Sequence, residues 1–248
     1  MITRRAFTAS GIAAGLAAAA RPVRAVGQSQ QRPVVLELFT SQGCSSCPPA
    51  DALLGELAKR DDVITLAFHV DYWDYIGWKD PFGDSKFTAR QRAYAAFLGQ
   101  RTIYTPQLVV DGTTHVVGSR RGDVEASIRD RLNMSPAERV SIPVEYGLRS
   151  DGAITVIVPA AVTTGPADVL LAAVDSEHVT EVKRGENSGR VLADYSVVRS
   201  IQRIGIWHGK EFAVTVPGTA WHRGADTLVV LLQAADRGTI WGAAKVPL

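Results

Sequence analysis

The chain has little cysteine and no long apolar run. Its 248 residues include two cysteines, Cys44 and Cys47. A disulfide scaffold uses several spaced pairs and a four-cysteine zinc site needs a second pair, so neither class of protein fits this count. No apolar stretch approaches the ~20 residues with which a helix spans a bilayer. We therefore expect no structural zinc and no integral membrane segment.

The chain also lacks an excess of either charge. It has 27 basic and 25 acidic residues, and four of the arginines fall in residues 1–25, which contain no acidic residue. The remainder has 23 basic against 25 acidic side chains, a formal charge of −2. No basic stripe is left to neutralise a phosphate backbone, so we expect no nucleic-acid partner. The 46% of hydrophobic residues is ample for a core.

Residues 1–25 have the layout of a bacterial export signal. The pair Arg4-Arg5 is followed by a weakly apolar stretch of alanine and glycine, and Ala25 supplies a small residue for cleavage. This order is typical of a twin-arginine signal peptide. We expect a periplasmic or secreted protein in an oxidising compartment, where disulfides persist. An amphipathic or disordered N-terminus and a retained anchor are the alternatives.

The first half of the remaining chain alternates strands and helices. Apolar runs at residues 34–39 and 63–70 predict two buried strands, and the apolar spacing over residues 50–58 predicts a helix between them. A strand–helix–strand unit places its two strands parallel in one sheet. Asp111-Gly112, between two further apolar runs, predicts a hairpin turn.

The second half has a different periodicity. Beyond a linker at residues 133–138, apolar residues such as Val140, Ile142 and Val144 alternate with polar ones. Several more strand candidates follow to the end of the chain. This pattern predicts an antiparallel, sandwich-like β-domain over residues 139–248.

The two cysteines form the motif Cys44-Ser45-Ser46-Cys47 between the first predicted strand and the first predicted helix. A disulfide across so short a loop adds little stability, which favours chemistry over structure. In that chemistry Cys44 attacks a substrate disulfide and Cys47 resolves the mixed intermediate. A helix N-terminus favours the thiolate that the attack requires. A static short-loop disulfide is the alternative.

Two prolines follow the motif directly. Pro48 and Pro49 fit the first turn of a helix but not its interior. We therefore expect the helix to begin at or after Cys47. Ser45 or Ser46 would then be its N-cap.

Glu37 lies inside the apolar run 34–39, seven positions before Cys44. Burial in a strand raises the pKa of a carboxyl group. Such a group could relay protons for the thiol pair. A strand-face carboxylate in contact with water is the equally weighted alternative.

Several motifs resemble known proteins. In chain order, residues 36–39, the cysteine motif and Tyr104-Thr105-Pro106 resemble the thioredoxin-like superfamily. More closely, residues 37–54, 68–82 and 104–112 look like the bacterial secreted family catalogued as domain of unknown function 1223.

The resemblance implies a fold and part of a site. It implies an α/β thioredoxin-like domain over residues 33–133, followed by the all-β, sandwich-like domain over residues 139–248. It also implies that Pro106, after a cis peptide bond, faces the cysteine pair. Thr105 would then offer its backbone to an extended substrate.

An aromatic and acidic loop leaves the second predicted strand at the same sheet edge as Cys44. Open α/β sheets bind ligands at this edge. The sequence predicts a substrate groove there, lined by His69, Asp71, Tyr72, Trp73 and Trp78. Aromatic packing between the two halves is the alternative. His69 with the two cysteines would also suit copper, a minority interpretation.

These observations predict an exported thiol–disulfide oxidoreductase that acts on protein or small-molecule disulfides. Its catalytic residues would be Cys44, Cys47, Glu37, Thr105 and Pro106. It would exchange electrons with an unknown redox partner and need no cofactor and no resident metal. The alternative is a periplasmic binding module that holds a partner protein or copper without redox turnover.

Overall fold

The structure, a computed structural model, describes residues 32–221, 224–235 and 238–248. The predicted signal peptide, residues 1–25, lies outside the described residues. The helices are Pro48–Leu57 (α1), Ser85–Phe97 (α2) and Arg121–Asn133 (α3), with a 3-10 turn at Asp74–Ile76. No helix in this part of the chain is long and apolar enough to cross a membrane. The strands are Val34–Thr40 (β1), Val63–His69 (β2), Gln107–Val110 (β3), Thr114–Val117 (β4), Glu145–Leu148 (β5), Ile154–Val158 (β6), Ala167–Glu181 (β7), Val191–Trp207 (β8), Phe212–Val216 (β9), Thr227–Ala234 (β10) and Ile240–Pro247 (β11).

The predicted fold class is wrong. An α/β thioredoxin-like domain followed by a separate all-β domain would divide the strands between two sheets near residues 133–139. Instead, strands from both sides of that segment form one eight-stranded mixed sheet, in the order β11-β10-β7-β8-β2-β1-β3-β4. Strands β5, β6 and β9 form a second sheet. Within the described ranges, three α-helices accompany eleven strands, so the protein is predominantly a mixed β-sheet structure.

The two halves of the large sheet meet at β8. This strand runs antiparallel to β7 along its whole length and parallel to β2 at the pair Ala67 and Val197. Beside that pair, Ser196 has a φ of 53°, which is uncommon for a residue with a side chain. The Ser196 hydroxyl lies 2.7 Å from the hydroxyl of Thr65 on β2. The backbone of β8 therefore changes conformation where the strand gains its second neighbour.

Several local predictions are confirmed. Strands β1 and β2 are parallel and joined by α1, with Val34 opposite Val63 at the start of the pairing. The hairpin of β3 and β4 turns at Asp111 and Gly112. Both residues have positive φ, 51° and 69°. The Thr113 N–H donates to the Val110 carbonyl oxygen at 3.0 Å, so Asp111 and Gly112 are the central residues of a turn within a three-residue loop.

The large sheet is covered on both faces. Side chains alternate between the faces along each strand. The face that carries Val35, Phe39 and Leu170 packs against α2. On the opposite face, Leu36 and its neighbours pack against α1 and α3, while β7 and β10 pack against the three-stranded sheet. Strand β10 and residues 167–175 of β7 are consequently buried on both sides, whereas the rest of β7 is more exposed.

The contact between α1 and β8 depends on a glycine. A Cβ on Gly55 would lie 2.5 Å from Cδ2 of the Tyr195 ring. Because this atom belongs to the base of the ring, the helix or the strand would have to move. We expect Gly55→Ala to lower the free energy of unfolding by about 1–3 kcal/mol, as measured by urea denaturation.

The matched control is Gly122→Ala on α3. A Cβ there would have open space around it. The better helix propensity of alanine should leave the stability unchanged or raise it by up to ~1 kcal/mol. Equal effects of the two substitutions would show that α1 and β8 are not closely packed at Gly55.

Candidate functional site

Cys44 and Cys47 lie in the loop between β1 and α1 and form a disulfide. The backbone N–H of Cys47 donates to the carbonyl oxygen of Cys44 at 3.3 Å, which closes a tight turn. Helix α1 begins at Pro48, as predicted. Its N-cap is Cys47, without a side-chain hydrogen bond, so the predicted cap at Ser45 or Ser46 is wrong.

The surroundings of the cysteines favour negative charge on sulfur. The Ser46 hydroxyl lies 3.3 Å from Cys44 Sγ and can donate to it. Cys47 is the N-cap of α1, where the helix dipole favours negative charge. Pro48 and Pro49 have no N–H group to donate, and the N–H groups of Ala50 and Asp51 are bonded to the Cys47 carbonyl oxygen. The Ser46 hydroxyl and the helix dipole therefore stabilise a thiolate once the disulfide is reduced.

The tip of the long β7–β8 hairpin covers this loop. We call residues 182–190 the strap. Asn187 is buried, and its side-chain amide donates to the carbonyl oxygens of Gln42 at 2.9 Å and Cys44 at 3.0 Å. The Glu186 carboxylate accepts from the backbone N–H of Ser45 at 3.1 Å. Cys44 and Cys47 are only 1% and 0% exposed.

Four buried ionisable groups meet near this end of β1 and β2, and we call them the acidic cluster: Asp51, His69, Asp80 and Asp194. His69 Nδ1 lies 2.8 Å from Asp80 Oδ2, and His69 Nε2 lies 4.0 Å from Asp194 Oδ1. The cluster draws one residue from each of α1, β2, the loop after β2, and β8. It therefore depends on the junction between β8 and the rest of the sheet.

Gln42 connects the acidic cluster to the cysteine loop. Its backbone N–H donates to Asp80 at 2.8 Å, and its side-chain amide donates to Asp194 at 2.7 Å. The Trp78 indole N–H donates to the Gln42 side-chain oxygen at 3.0 Å. Gln42 lies two positions before Cys44, so movement of the cysteine loop and changes of charge in the cluster act on the same residue.

Charge in the acidic cluster shifts the pKa of its members. Burial alone would lower the pKa of His69, but the charges of Asp80, Asp194 and Asp51 outweigh it and raise that pKa to about 9. Burial works against ionisation of Asp80 as well, yet the His69 charge and hydrogen bonds hold the pKa of Asp80 below its usual value. His69 and Asp80 thus form a buried ion pair at neutral pH.

Asp51 is a member of the cluster that can exchange a proton near neutral pH. Burial raises its pKa to about 7, in spite of the His69 charge and a hydrogen bond from Thr40 at 3.1 Å. It lies one helical turn after Cys47, and its backbone N–H donates to the Cys47 carbonyl oxygen. A cavity of about 270 Å³ between α1 and β8 borders both Asp51 and Asp194. A carboxyl group of this kind can take up or release a proton near neutral pH.

Glu37 lies on the face of the sheet opposite the cysteine loop and α1. Leu36 and Leu38 face α1, so Glu37 between them faces α2 on the other side of the sheet. There it accepts hydrogen bonds from Arg90 at 2.6 and 3.0 Å and from Tyr94 at 2.5 Å. The proton-relay role predicted for Glu37 stays untested, and this placement gives it no support.

The aromatic loop lies beside the cysteine loop. The Trp73 indole N–H donates to Thr105 Oγ1 at 2.7 Å, and a Cβ on Gly43 would lie 3.1 Å from Trp73 Cβ. Tyr75 stacks on Trp73 with 6.5 Å between ring centroids and is 83% exposed. Trp73 and Tyr75 therefore form an aromatic surface next to the site.

The other predicted groove residues have structural contacts. His69 belongs to the acidic cluster. Asp71 accepts a hydrogen bond from the Thr88 hydroxyl of α2, and Tyr72 packs against the core beneath α2. The structure therefore places Trp73 and Trp78 by the cysteine loop, while these three face inward.

Thr105 and Pro106 are joined by a cis peptide bond, as the resemblance implied. Pro106 precedes β3, which pairs with β1. A Cβ on Gly118 would lie 3.2 Å from Ala50 Cβ and 3.5 Å from Pro106 Cβ. Pro106 is thus close to the first turn of α1, on the cysteine side of the sheet.

Three site residues were missed at the sequence level. Asp51 had a usable signal, because residues four apart share a helix face and Asp51 follows Cys47 by four. The sequence contains no such signal for Asp194 or Asn187. They lie about 150 residues after the cysteines and reach the site through the β7–β8 hairpin, which is a long-range pairing.

In the part of the chain that the structure describes, no group of three or more His, Cys, Asp or Glu side chains is arranged to hold a metal ion. His69, the predicted copper ligand, is bonded to Asp80. Copper binding stays an untested alternative.

Comparisons with known proteins agree with this architecture. A family model described as a protein of unknown function, DUF1223, matches residues 35–233. A crystal structure of a protein from Agrobacterium tumefaciens is similar over 88% of this chain and 96% of that one, with 33% identity and a TM-score of 0.74. HBP35 of Porphyromonas gingivalis is similar in fold, with 14% identity and a TM-score of 0.56 over 89% of this chain and 76% of that one. No curated protein matches the chain.

Ionisation of Asp51 should destabilise the fold. Because the pKa of Asp51 is raised in the folded state, the folded state binds the proton more tightly than the unfolded state does. The resulting stabilisation is fully present below about pH 4 and is lost as the pH rises through 7. Asp51→Asn can keep the hydrogen bond from Thr40 without the charge. We expect the variant to exceed wild type by about 1–4 kcal/mol in unfolding free energy near pH ~8 and to match it near pH ~4.

Asp123→Asn is the control for this comparison. Asp123 also lies in the first turn of a helix, but it is exposed. Like Asp51, Asp123 interacts favourably with its helix dipole, but its side chain is not buried. Its substitution should therefore lower the free energy of unfolding by up to ~1 kcal/mol near pH ~8. Urea titrations at both pH values measure the difference. A pH-independent effect of Asp51→Asn would contradict the raised pKa.

Proposed function

The chain belongs to the DUF1223 family of proteins of unknown function, and we propose that it is a thiol–disulfide oxidoreductase that acts on protein or small-molecule disulfides. One observation carries the proposal. The Cys44–Cys47 disulfide lies at the N-terminus of α1, one turn before a buried carboxyl group whose pKa is about 7. This combination supplies both a thiol pair and a proton acceptor for it.

The exchange can be written in the reducing direction. The Cys44 thiolate attacks one sulfur of a substrate disulfide, forms a mixed disulfide and releases one substrate thiolate. The Cys47 thiol then loses its proton and attacks Cys44 Sγ, which re-forms the internal disulfide and releases the second substrate thiolate. Two electrons pass to the substrate, and a dithiol partner protein returns them. The reverse sequence oxidises a substrate dithiol.

Asp51 is the group we assign to the Cys47 proton. It shares a helix face with Cys47, and the cavity between α1 and β8 offers water a route to it. Glu37 is already bound by Arg90 and Tyr94 on the other face of the sheet. The proton-relay role therefore passes from Glu37 to Asp51.

The substrate would lie against the aromatic surface. Trp73 and Tyr75 are adjacent to the cysteine loop, and Tyr75 is largely exposed. Thr105, held by Trp73, borders the same region. Stacked aromatic rings give a peptide substrate a large contact area at low cost in side-chain entropy.

We also propose export by the twin-arginine route, on the basis of residues 1–25. Arg4-Arg5 and the alanine-rich stretch that follows support it. A periplasmic or extracellular location is an oxidising compartment, in which disulfides persist.

Substitution of each cysteine tests the assignment of roles. We expect Cys44→Ser to lower the rate of thiol–disulfide exchange by roughly 1,000-fold or more, because it removes the attacking sulfur. Cys47→Ser should instead accumulate a mixed disulfide through Cys44, visible as a mass increase on a non-reducing gel or by mass spectrometry. Ser45→Ala, within the same loop, should retain the wild-type rate. Unchanged exchange in Cys44→Ser would end the proposal.

The burial of both cysteines favours a second candidate. A disulfide that is 1% and 0% exposed suits a binding module in which the bond is structural. The redox equilibrium with glutathione, read by alkylation of Cys44 and Cys47, separates the two. A midpoint within ~−270 to −120 mV supports turnover. A disulfide that stays closed far below that range supports the binding module.

Turnover requires the strap to open. Asn187→Ala removes two hydrogen bonds that hold the strap to the cysteine loop. Each is worth ~1 kcal/mol, so we expect dithiothreitol to reduce the disulfide about 30-fold faster in the variant. Ser188→Ala is the control, since Ser188 bonds only within the strap, to Lys183. Equal reduction rates in Asn187→Ala and wild type would show that the strap does not limit access.

A further inference from the structure

A single carboxylate lies among three arginines at the turn between β3 and β4. Asp111 is fully buried, and Arg32, Arg131 and Arg139 are buried with it. Arg32 donates to both carboxylate oxygens, at 2.8 and 3.1 Å. Arg131 Nε and Arg139 Nε both donate to Asp111 Oδ2, at 3.1 and 2.9 Å. We call these four residues the arginine cluster.

The charges in the arginine cluster do not balance. Guanidinium groups stay protonated in proteins, so three arginines and one aspartate leave two positive charges in excess. An excess charge away from water costs several kcal/mol unless it is paired. In the described residues, Asp111 is the carboxylate that forms ion pairs with these arginines. The segment before Arg32 contains no Asp or Glu, and Asp236 is the one acidic residue outside the described ranges.

Asp111 has no capacity left for further donors. Its Oδ1 also accepts from the backbone N–H of Val35 at 2.9 Å, which makes five donors on two oxygens. A carboxylate offers about four lone-pair positions. Arg32 turns its remaining N–H groups to the carbonyl oxygens of Pro33, Val140 and Ile240. These contacts satisfy hydrogen bonds without adding negative charge.

Two guanidinium nitrogens are buried without a hydrogen-bond partner, Arg131 Nη2 and Arg139 Nη1. Their side chains are 8% and 2% exposed. Both nitrogens belong to guanidinium groups whose Nε binds the same carboxylate oxygen, Asp111 Oδ2. Buried donors of full positive charge are normally paired.

We propose that the arginine cluster binds one small anion at the free nitrogens of Arg131 and Arg139. The ligand is of the class that guanidinium groups accept, a halide or a small oxyanion. It adds negative charge against the excess and accepts hydrogen bonds from the unused N–H groups. The site lies at the end of β1 opposite the cysteine loop, and its occupancy stabilises the fold independently of the cysteines.

Urea unfolding of the full chain without residues 1–25 tests the proposal. Sodium chloride replaces sodium gluconate at constant ionic strength, since gluconate is too bulky for a buried cluster. Binding to the folded state alone raises the folding equilibrium constant 10-fold for each 10-fold increase in ligand above its dissociation constant. We expect this slope of about one with chloride as the probe, and again with inorganic phosphate if the site accepts oxyanions.

Substitutions locate the effect. Arg131→Gln and Arg139→Gln each remove one of the two guanidinium groups that would hold the anion and should abolish the dependence on anion concentration. Arg121→Gln lies on the same helix as Arg131, but Arg121 is exposed and paired with Glu56, so the slope should remain. A slope retained in both cluster variants would overturn the site, as would no slope in wild type.

A direct measurement covers the case in which the cluster variants fail to fold. The chloride-35 resonance of a dilute sodium chloride solution should broaden when wild-type protein is added, and an excess of an anion that competes for the site should reverse the broadening. Unfolding the protein in urea should abolish it as well. Broadening that persists in urea, or none with folded protein, would refute the proposal.

Discussion

The placement of β8 beside β2 is the constraint on which the rest of the site depends. The backbone pairing between the two strands is short, at Ala67 and Val197, and it is reinforced by side-chain contacts of neighbouring residues. Ser196 contacts Thr65, and the Tyr195 ring packs against α1 at Gly55. This placement delivers Asp194 to the acidic cluster and carries the strap over the cysteine loop. A separate C-terminal β-domain would have supplied neither Asp194 nor the strap.

Much of the local structure could be predicted from periodicity, because each element is specified by its own residues. The apolar runs around α1, the proline pair and Asp111-Gly112 all gave correct elements. The sheet partners could not be predicted in the same way, since pairing between distant strands depends on contacts throughout the fold. One signal was nevertheless present. Residues 169–174 and 228–232 are continuously apolar, which is typical of strands buried on both faces and not of a sandwich with a solvated face.

In the candidate site, too, the local features could be predicted from sequence and the long-range contacts could not. The cysteine motif specifies its own turn and helix start, so spacing alone located it. The choice between Glu37 and Asp51 required knowledge of which face of β1 is covered by α1. Strand alternation places Glu37 opposite Leu36 and Leu38, but only the packed structure shows that α1 lies on the leucine side. Asp194 and Asn187 enter through a hairpin whose tip lies far from the cysteines in sequence.

Two buried charge clusters of opposite sign lie near the two ends of β1. Asp111 binds the backbone of Val35 at one end, and Thr40 at the other end binds Asp51 of the acidic cluster. The acidic cluster can reduce its negative charge by taking up a proton, because carboxyl groups titrate and burial raises the pKa of Asp51 to about 7. The arginine cluster has no such means, since guanidinium groups do not release protons at accessible pH. A bound anion is therefore the counterpart, at the arginines, of the proton that Asp51 holds beside the cysteines.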